Sequence, residues 1–265
     1  MHTIKHLALL VATTLVAACA STPEPAEEAF TPWGLLWVEN AAEYRALALQ
    51  AYGTATRDLP RFVEDTSWSA LPTQTDAADL PPAVILDVDE TVVSNVDFQM
   101  NFEPPFSNRK HDDWNAANVS IEIPGVADFV DAAREAGVTV FFVTNRPCEP
   151  AGQFPCTQRQ TTIGDINEVG IEVDAEHVLL ADERGWTSEK STRRAHIART
   201  HRVIMLFGDD LGDFLTCVRK TIHDPCEVSA SAASREQAIL EHHEFWGAGW
   251  YILPNPMYGS WTSHR

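Results

Sequence analysis

The chain of 265 residues carries 19 Lys and Arg against 38 Asp and Glu, a formal charge of −19, with 45% hydrophobic and 22% charged residues. That composition excludes a disordered chain, and the length is enough to bury the core of one large domain. The acid excess excludes a basic face for nucleic acid, and an anionic substrate would need a metal or a few placed cations to reverse the field locally.

Residues 1–18 hold Lys5 and then, over 7–18, nothing more polar than threonine. Twelve residues are too few to span a bilayer as a helix, but they suit the apolar part of an export signal. The run ends in Leu15-Val16-Ala17-Ala18-Cys19, which resembles a bacterial lipoprotein signal whose lipidated cysteine becomes the mature amino terminus. An ordinary export signal with an incidental cysteine is the alternative, and membrane fractionation of Cys19→Ser separates the two. Cleavage would leave 247 residues and a charge of −20, since Lys5 is lost. Ala20 after the cysteine points to an outer-membrane lipoprotein, periplasmic or surface-facing. Residues 19–30 then form a Pro/Glu/Ala tether, leaving 31–265 as the folded domain. The other cysteines, Cys148, Cys156, Cys217 and Cys226, are an even set in an oxidising compartment. Three pairings are open; the local one joins Cys148 to Cys156 and Cys217 to Cys226, and spacings of eight and nine residues are not those of a zinc ribbon.

Pro32 suits a helix start, and Trp37, Ala41, Tyr44, Leu47, Ala48 and Ala51 recur at helical spacing, predicting a helix over 37–52. A second helix is expected over 53–65, interrupted near Pro60, and 71–82 reads as a connector. The apolar runs 83–88, 138–144, 177–181 and 202–207 are predicted strands, and helices are expected over 126–136, 157–169 and 188–200. Strands alternating with helices predict an α/β fold, a doubly wound parallel sheet with its ligand beyond the carboxyl ends of the strands. The core is expected over about 83–225, with a helical cap subdomain drawn from about 31–70 and 230–265.

Three strand ends carry chemistry: Asp87-Val88-Asp89-Glu90-Thr91, Thr144-Asn145-Arg146, and Gly208-Asp209-Asp210-Leu211-Gly212-Asp213. The remaining strand ends in Asp182, with Lys190 eight residues later and nineteen before Asp209. Carboxylates converging at strand ends form a hard oxygen site suited to Mg²⁺. This order of motifs resembles the haloacid dehalogenase superfamily. VILDVDETVVSN and IMLFGDDLGDF are similar to the two signatures of its class C bacterial acid phosphatases, which are lipoprotein-anchored, and AEYRALALQAY and LPNPMYGSW agree with that family.

The resemblance implies a Mg²⁺-dependent acid phosphatase that hydrolyses phosphomonoesters, 5′-nucleotides among them, through an aspartyl-phosphate. Asp87 would be the nucleophile and Asp89 the general acid and base, with crowding beside Asp87 and the metal ligands helping to set its pKa. Asp87, the backbone carbonyl of Asp89, and Asp209 would hold Mg²⁺, with Asp213 and Asp210 behind them. Thr144, the Asn145 backbone N–H and Lys190 would bind the phosphoryl group. Asp210 stands where the family has Asn, and could tighten the cation, raise a neighbour's pKa or point to solvent. Phe98 stands where the family has Tyr, as a packing residue. Residues 92–123 read as a lid or pocket wall; the resemblance suggests Trp114 and Tyr258 as aromatic contacts to the substrate, whereas core packing is the commoner fate of an aromatic residue. The ten histidines lack the R-H-G pattern of histidine phosphatases, and no G-x-S-x-G marks a serine hydrolase. Two alternatives stay open: a noncatalytic binding lipoprotein on this scaffold, and phosphotransfer to an alcohol. The partners expected are a small phosphomonoester and, through Cys19, a membrane.

Overall fold

A computed structural model describes residues 32–149 and 156–264. The export signal, Cys19 and the tether lie outside these residues.

Helix α1 (Trp33–Asn40) is followed by α2 (Ala42–Glu64), and the break falls at Ala41, whose ψ of 124° is extended. The expected break at Gly53 does not occur. One face of α2 buries Tyr44, Ala48, Tyr52, Ala55, Leu59 and Phe62 without interruption. Each large apolar side chain buried contributes about 1.5–3 kcal/mol. Together they outweigh the roughly 1 kcal/mol cost of a helical Gly and about 3 of Pro60. The chain continues through β1 (Pro82–Leu86), β2 (Val93–Ser94), α3 (Val96–Asn101), α4 (Asn108–Asn115), β3 (Ile121–Glu122), α5 (Val126–Glu135) and β4 (Thr139–Pro147). It then forms α6 (Thr157–Glu168), β5 (Val178–Ala181), α7 (Ser191–Ile197), β6 (Arg202–Gly208), α8 (Ala232–Glu241) and β7 (Trp250–Ile252).

Five strands form one parallel sheet in the order β5-β4-β1-β6-β7. Alternation along β1 sends Val84 and Leu86 to one apolar layer, shared with α2, α5 and α6, and Ala83 and Ile85 to the other, shared with α7. Chain order reverses between β1 and β6, and that switch point opens a crevice at their carboxyl ends.

The terminal segments expected to supply the helical cap belong to the same compact unit as the sheet, 31–265. Helix α2 lies directly on the sheet, and the C-terminal segment contributes one helix, α8, and the fifth strand. Three residues behind Gly247 and Gly249 are too short a run to read as a strand, yet Trp250 is fully buried and its Nε1 donates to the Ala70 carbonyl (2.7 Å). Helix α7 is shorter than expected, because its first turn begins after Lys190. Both local disulfides are present, Cys148–Cys156 and Cys217–Cys226.

Candidate active site

A pocket of about 450 Å³ lies at the switch point. Asp87 follows β1 directly, its N–H donating to the Phe207 carbonyl of β6 (3.0 Å), so the two central strands aim it into the pocket. Asp209 follows β6. Lys190, which is buried, forms ion pairs with Asp87 and with Asp213 Oδ1 (2.6 Å). Lys190 is thus not an exposed helix lysine, and it bridges Asp87 and Asp213. Burial, the Lys190 ammonium and the Asp213 and Asp89 carboxylates together leave Asp87 pushed up to about 7. Burial beside Asp213 and Asp87 pushes Asp209 well above the usual carboxylate range. Oxygens of Asp87, Asp209 and Asp213 lie within 4.8 Å of one another. Three crowded carboxylates with hard oxygen donors fit a divalent ion, whose charge relieves their repulsion. Asp213 rather than the Asp89 side chain completes this cluster.

The Asp89 carboxylate is held elsewhere. Arg146 Nη2 (2.8 Å) and Nε (3.1 Å) and Asn95 Nδ2 (2.9 Å) all donate to it. Burial pushes Asp89 upward, but Arg146, His111 and these hydrogen bonds outweigh it and hold the carboxyl below its usual range. Alongside crowding, burial and the paired guanidinium therefore bear on its proton affinity. Arg146 pairs on its far side with Asp165 of α6, fixing it between two carboxylates. Sequence reasoning passed over Arg146, although residues two apart on a strand share a face, so Thr144 already pointed to it.

Thr144 is fully buried behind the pocket wall; its hydroxyl accepts from the Arg146 N–H (3.1 Å) and donates weakly to Asp89 (3.4 Å). Asn145 lines the pocket, and its Oδ1 accepts from Arg193 Nη2 (2.6 Å). Arg193 and Arg194 serve the backbone: the former donates to the Thr144 carbonyl, the latter to those of Gly212 (2.8 Å) and Asp213 (2.9 Å).

Asp210 neither joins the carboxylate cluster nor faces solvent. Its Oδ1 caps the following turn through the Gly212 N–H (2.9 Å), and its Oδ2 accepts from the Ser260 N–H (2.7 Å). Burial raises its pKa, but Arg219 and these donors prevail and hold it low. The Tyr258 hydroxyl donates to Glu90 (2.9 Å) and accepts from Asn95 (3.1 Å), so Tyr258 lines the pocket with its polar end tied down. Glu90 is buried at a left-handed φ of 59°, and desolvation, opposed by its donors, pushes it to about 7.

Trp114 does not line this pocket. It is half-buried, meets Phe98 edge-on (6.0 Å) and borders a separate crevice. The ring-bearing part of the pocket wall from 92–123 is instead Phe102, Phe106 and His111 around buried Phe98, with Phe102 stacked on it, Phe106 edge-on and His111 tilted. His111, set aside with the other histidines, sits 3.9 Å from Asp89 and contacts Asn95 Oδ1 (2.9 Å).

The model of the HAD superfamily, subfamily IIIB (acid phosphatase), matches residues 8–261. The structure of the class C acid phosphatase from Bacillus anthracis is similar at 30% identity and a TM-score of 0.65, covering 86% of this chain and 84% of that one. The structure of that enzyme with tungstate bound is similar at 31% identity, with the same TM-score of 0.65 and the same coverage. The chain belongs to the subfamily IIIB acid phosphatases of the HAD superfamily and is a phosphomonoesterase.

Proposed function

We propose that this acid phosphatase hydrolyses phosphomonoesters, 5′-nucleotides among them, in a Mg²⁺-dependent reaction through a phosphorylated Asp87. The observation that carries the reading is the buried ion triad of Lys190 with Asp87 and Asp213, set against Asp209 at the switch point. Asp87 and Asp209, with Asp213 beside them, would hold a divalent ion, which would neutralise the phosphoryl oxygens. Lys190 adds a fixed cation where a dianion must approach a carboxylate. A carboxylate oxygen of Asp87 attacks phosphorus as the bond to the ester oxygen breaks, and Asp89 gives that oxygen a proton. Water then attacks the phosphoryl group, Asp89 takes its proton, and the Asp87–phosphorus bond breaks to release inorganic phosphate. The ester's own negative charge, arriving beside Asp89, offsets Arg146 and favours the protonated acid. Phe102, Phe106 and Tyr258 offer an apolar wall for a nucleobase or aryl leaving group. The tungstate of the Bacillus anthracis structure, a tetrahedral oxyanion, is in keeping with a phosphoryl site.

The test is phosphate release from p-nitrophenyl phosphate and nucleoside monophosphates before EDTA, after it, and with Mg²⁺ restored. Activity is expected to vanish and return, and Asp87→Asn to be inactive. Turnover that survives either treatment overturns the mechanism.

A further inference from the structure

Strand β7 pairs in parallel with β6, Gly208 standing opposite Ile252, and the Leu253 N–H donates to the Gly208 carbonyl (2.8 Å). The two chains therefore leave the sheet side by side, and the residues just beyond them meet: Asp209 after β6, Asn255 after β7. Asn255 Nδ2 donates to Asp209 Oδ2 (2.7 Å). The other end of the same amide is fixed, because its Oδ1 accepts from the N–H groups of Met257 (3.0 Å) and Tyr258 (3.3 Å). Backbone N–H groups cannot face an NH₂, so the turn dictates which end of the amide is presented to Asp209.

We infer that Asn255 is a positioning residue for the divalent ion. It fixes the rotation of the Asp209 carboxylate and so the aim of its second oxygen at the site shared with Asp87 and Asp213. A neutral donor suits that task, since a lysine or arginine in its place would compete with the ion for Asp209. Partners that orient a metal ligand from behind typically matter 10–100-fold in metal affinity. The inference rests on the divalent-ion reading above and extends it to a residue outside both acidic motifs.

Two variants test it. Asn255→Ala removes the donor and the turn; Asn255→Ser keeps a side-chain oxygen for the Met257 N–H but is too short to reach Asp209. Mg²⁺ affinity is read by isothermal titration calorimetry on metal-free protein, alongside the Mg²⁺-induced rise in Tm. Both variants are expected to bind Mg²⁺ about 10–100-fold more weakly. Their metal-free Tm should stay close to wild type, and KM at saturating Mg²⁺ should be little changed. Wild-type affinity in Asn255→Ser would show that the turn matters and not the donor, and would overturn the inference, as would wild-type affinity in both. If the wild-type protein itself binds no Mg²⁺, the metal reading and the role of Asn255 fall together.

Discussion

Arg146→Met is the most informative single change in this protein. The arginine side chain is 4% exposed and lies between Asp89 and Asp165, the latter 3% exposed. Methionine fills a similar volume and leaves both carboxylates without their cation. Removing one partner of a buried ion pair costs about 3–5 kcal/mol. For a domain of this size that is a fall of about 6–20 °C in Tm.

The pH dependence makes the test specific. In the wild-type protein Asp89 is held below its unfolded pKa, so its stabilising contribution is complete above about pH 4 and disappears only as pH falls through the lower folded value. Burial already holds Asp165 above its usual range even with Arg146 beside it. Without the guanidinium, burial should raise Asp165 further and lift Asp89 above its unfolded value, so the sign reverses at Asp89 and the existing trend steepens at Asp165. The variant then loses about 1.4 kcal/mol per pH unit per carboxylate as pH rises from the unfolded pKa toward the raised one. Urea unfolding at pH 5 and pH 7.5 should show a destabilisation that widens with pH. Adding Asp165→Asn should recover about 1–3 kcal/mol by removing a stranded charge. A difference from wild type under about 1 kcal/mol, flat across that range, would refute the reasoning.

Gly208→Ala tests close packing at the end of β6. A Cβ there would stand 2.2 Å from Asp213 Oδ2 and 2.3 Å from its Cβ, so Asp213 or the strand must move. The expected cost is about 1–3 kcal/mol by thermal unfolding, together with loss of phosphatase activity, and an unperturbed, active variant would contradict it. Phe102→Ala, which removes part of the pocket wall, should raise KM for p-nitrophenyl phosphate about 2- to 12-fold. Trp114→Ala should leave that KM within about twofold, and equal effects of the two would mean that Trp114 reaches the pocket after all.

What the sequence disclosed and what it concealed divide along physical lines. The four long strands were legible because a strand buried on both faces is a continuous apolar run, and the acids that end three of them interrupt it abruptly. The fifth strand was hidden by its length, and the single helix α2 by Gly53 and Pro60, where burial overrides local preference. Within the site, Asp87, Asp209 and Lys190 follow from motif order. Arg146, Asn95 and Asn255 do not, because each acts through a hydrogen bond whose partner is set by strand register or chain reversal. Tyr258 could be named as a pocket residue, but not its link to Glu90, 168 residues away in the chain. Trp114 stayed open between pocket and packing because an aromatic residue carries no sequence mark that distinguishes a pocket wall from a packed ring.

The net charge of −19 poses the question of how so acidic a protein admits a phosphate dianion, and the site answers it pair by pair. Arg146 compensates Asp89, Lys190 sits between Asp87 and Asp213, and Arg219 lies 3.4 Å from Asp210. Asp209 differs: its side-chain partner is the neutral amide of Asn255, and among the described residues no ion pair reaches it. Lys190 carries one charge against the two carboxylates it touches. The shortfall of positive charge is therefore local, centred where Asp87, Asp209 and Asp213 face one another. A divalent ion held by these carboxylates would supply charge at that point. The surface acids, screened beyond a Debye length of about 8–10 Å at ordinary ionic strength, bear on encounter rate and not on this balance.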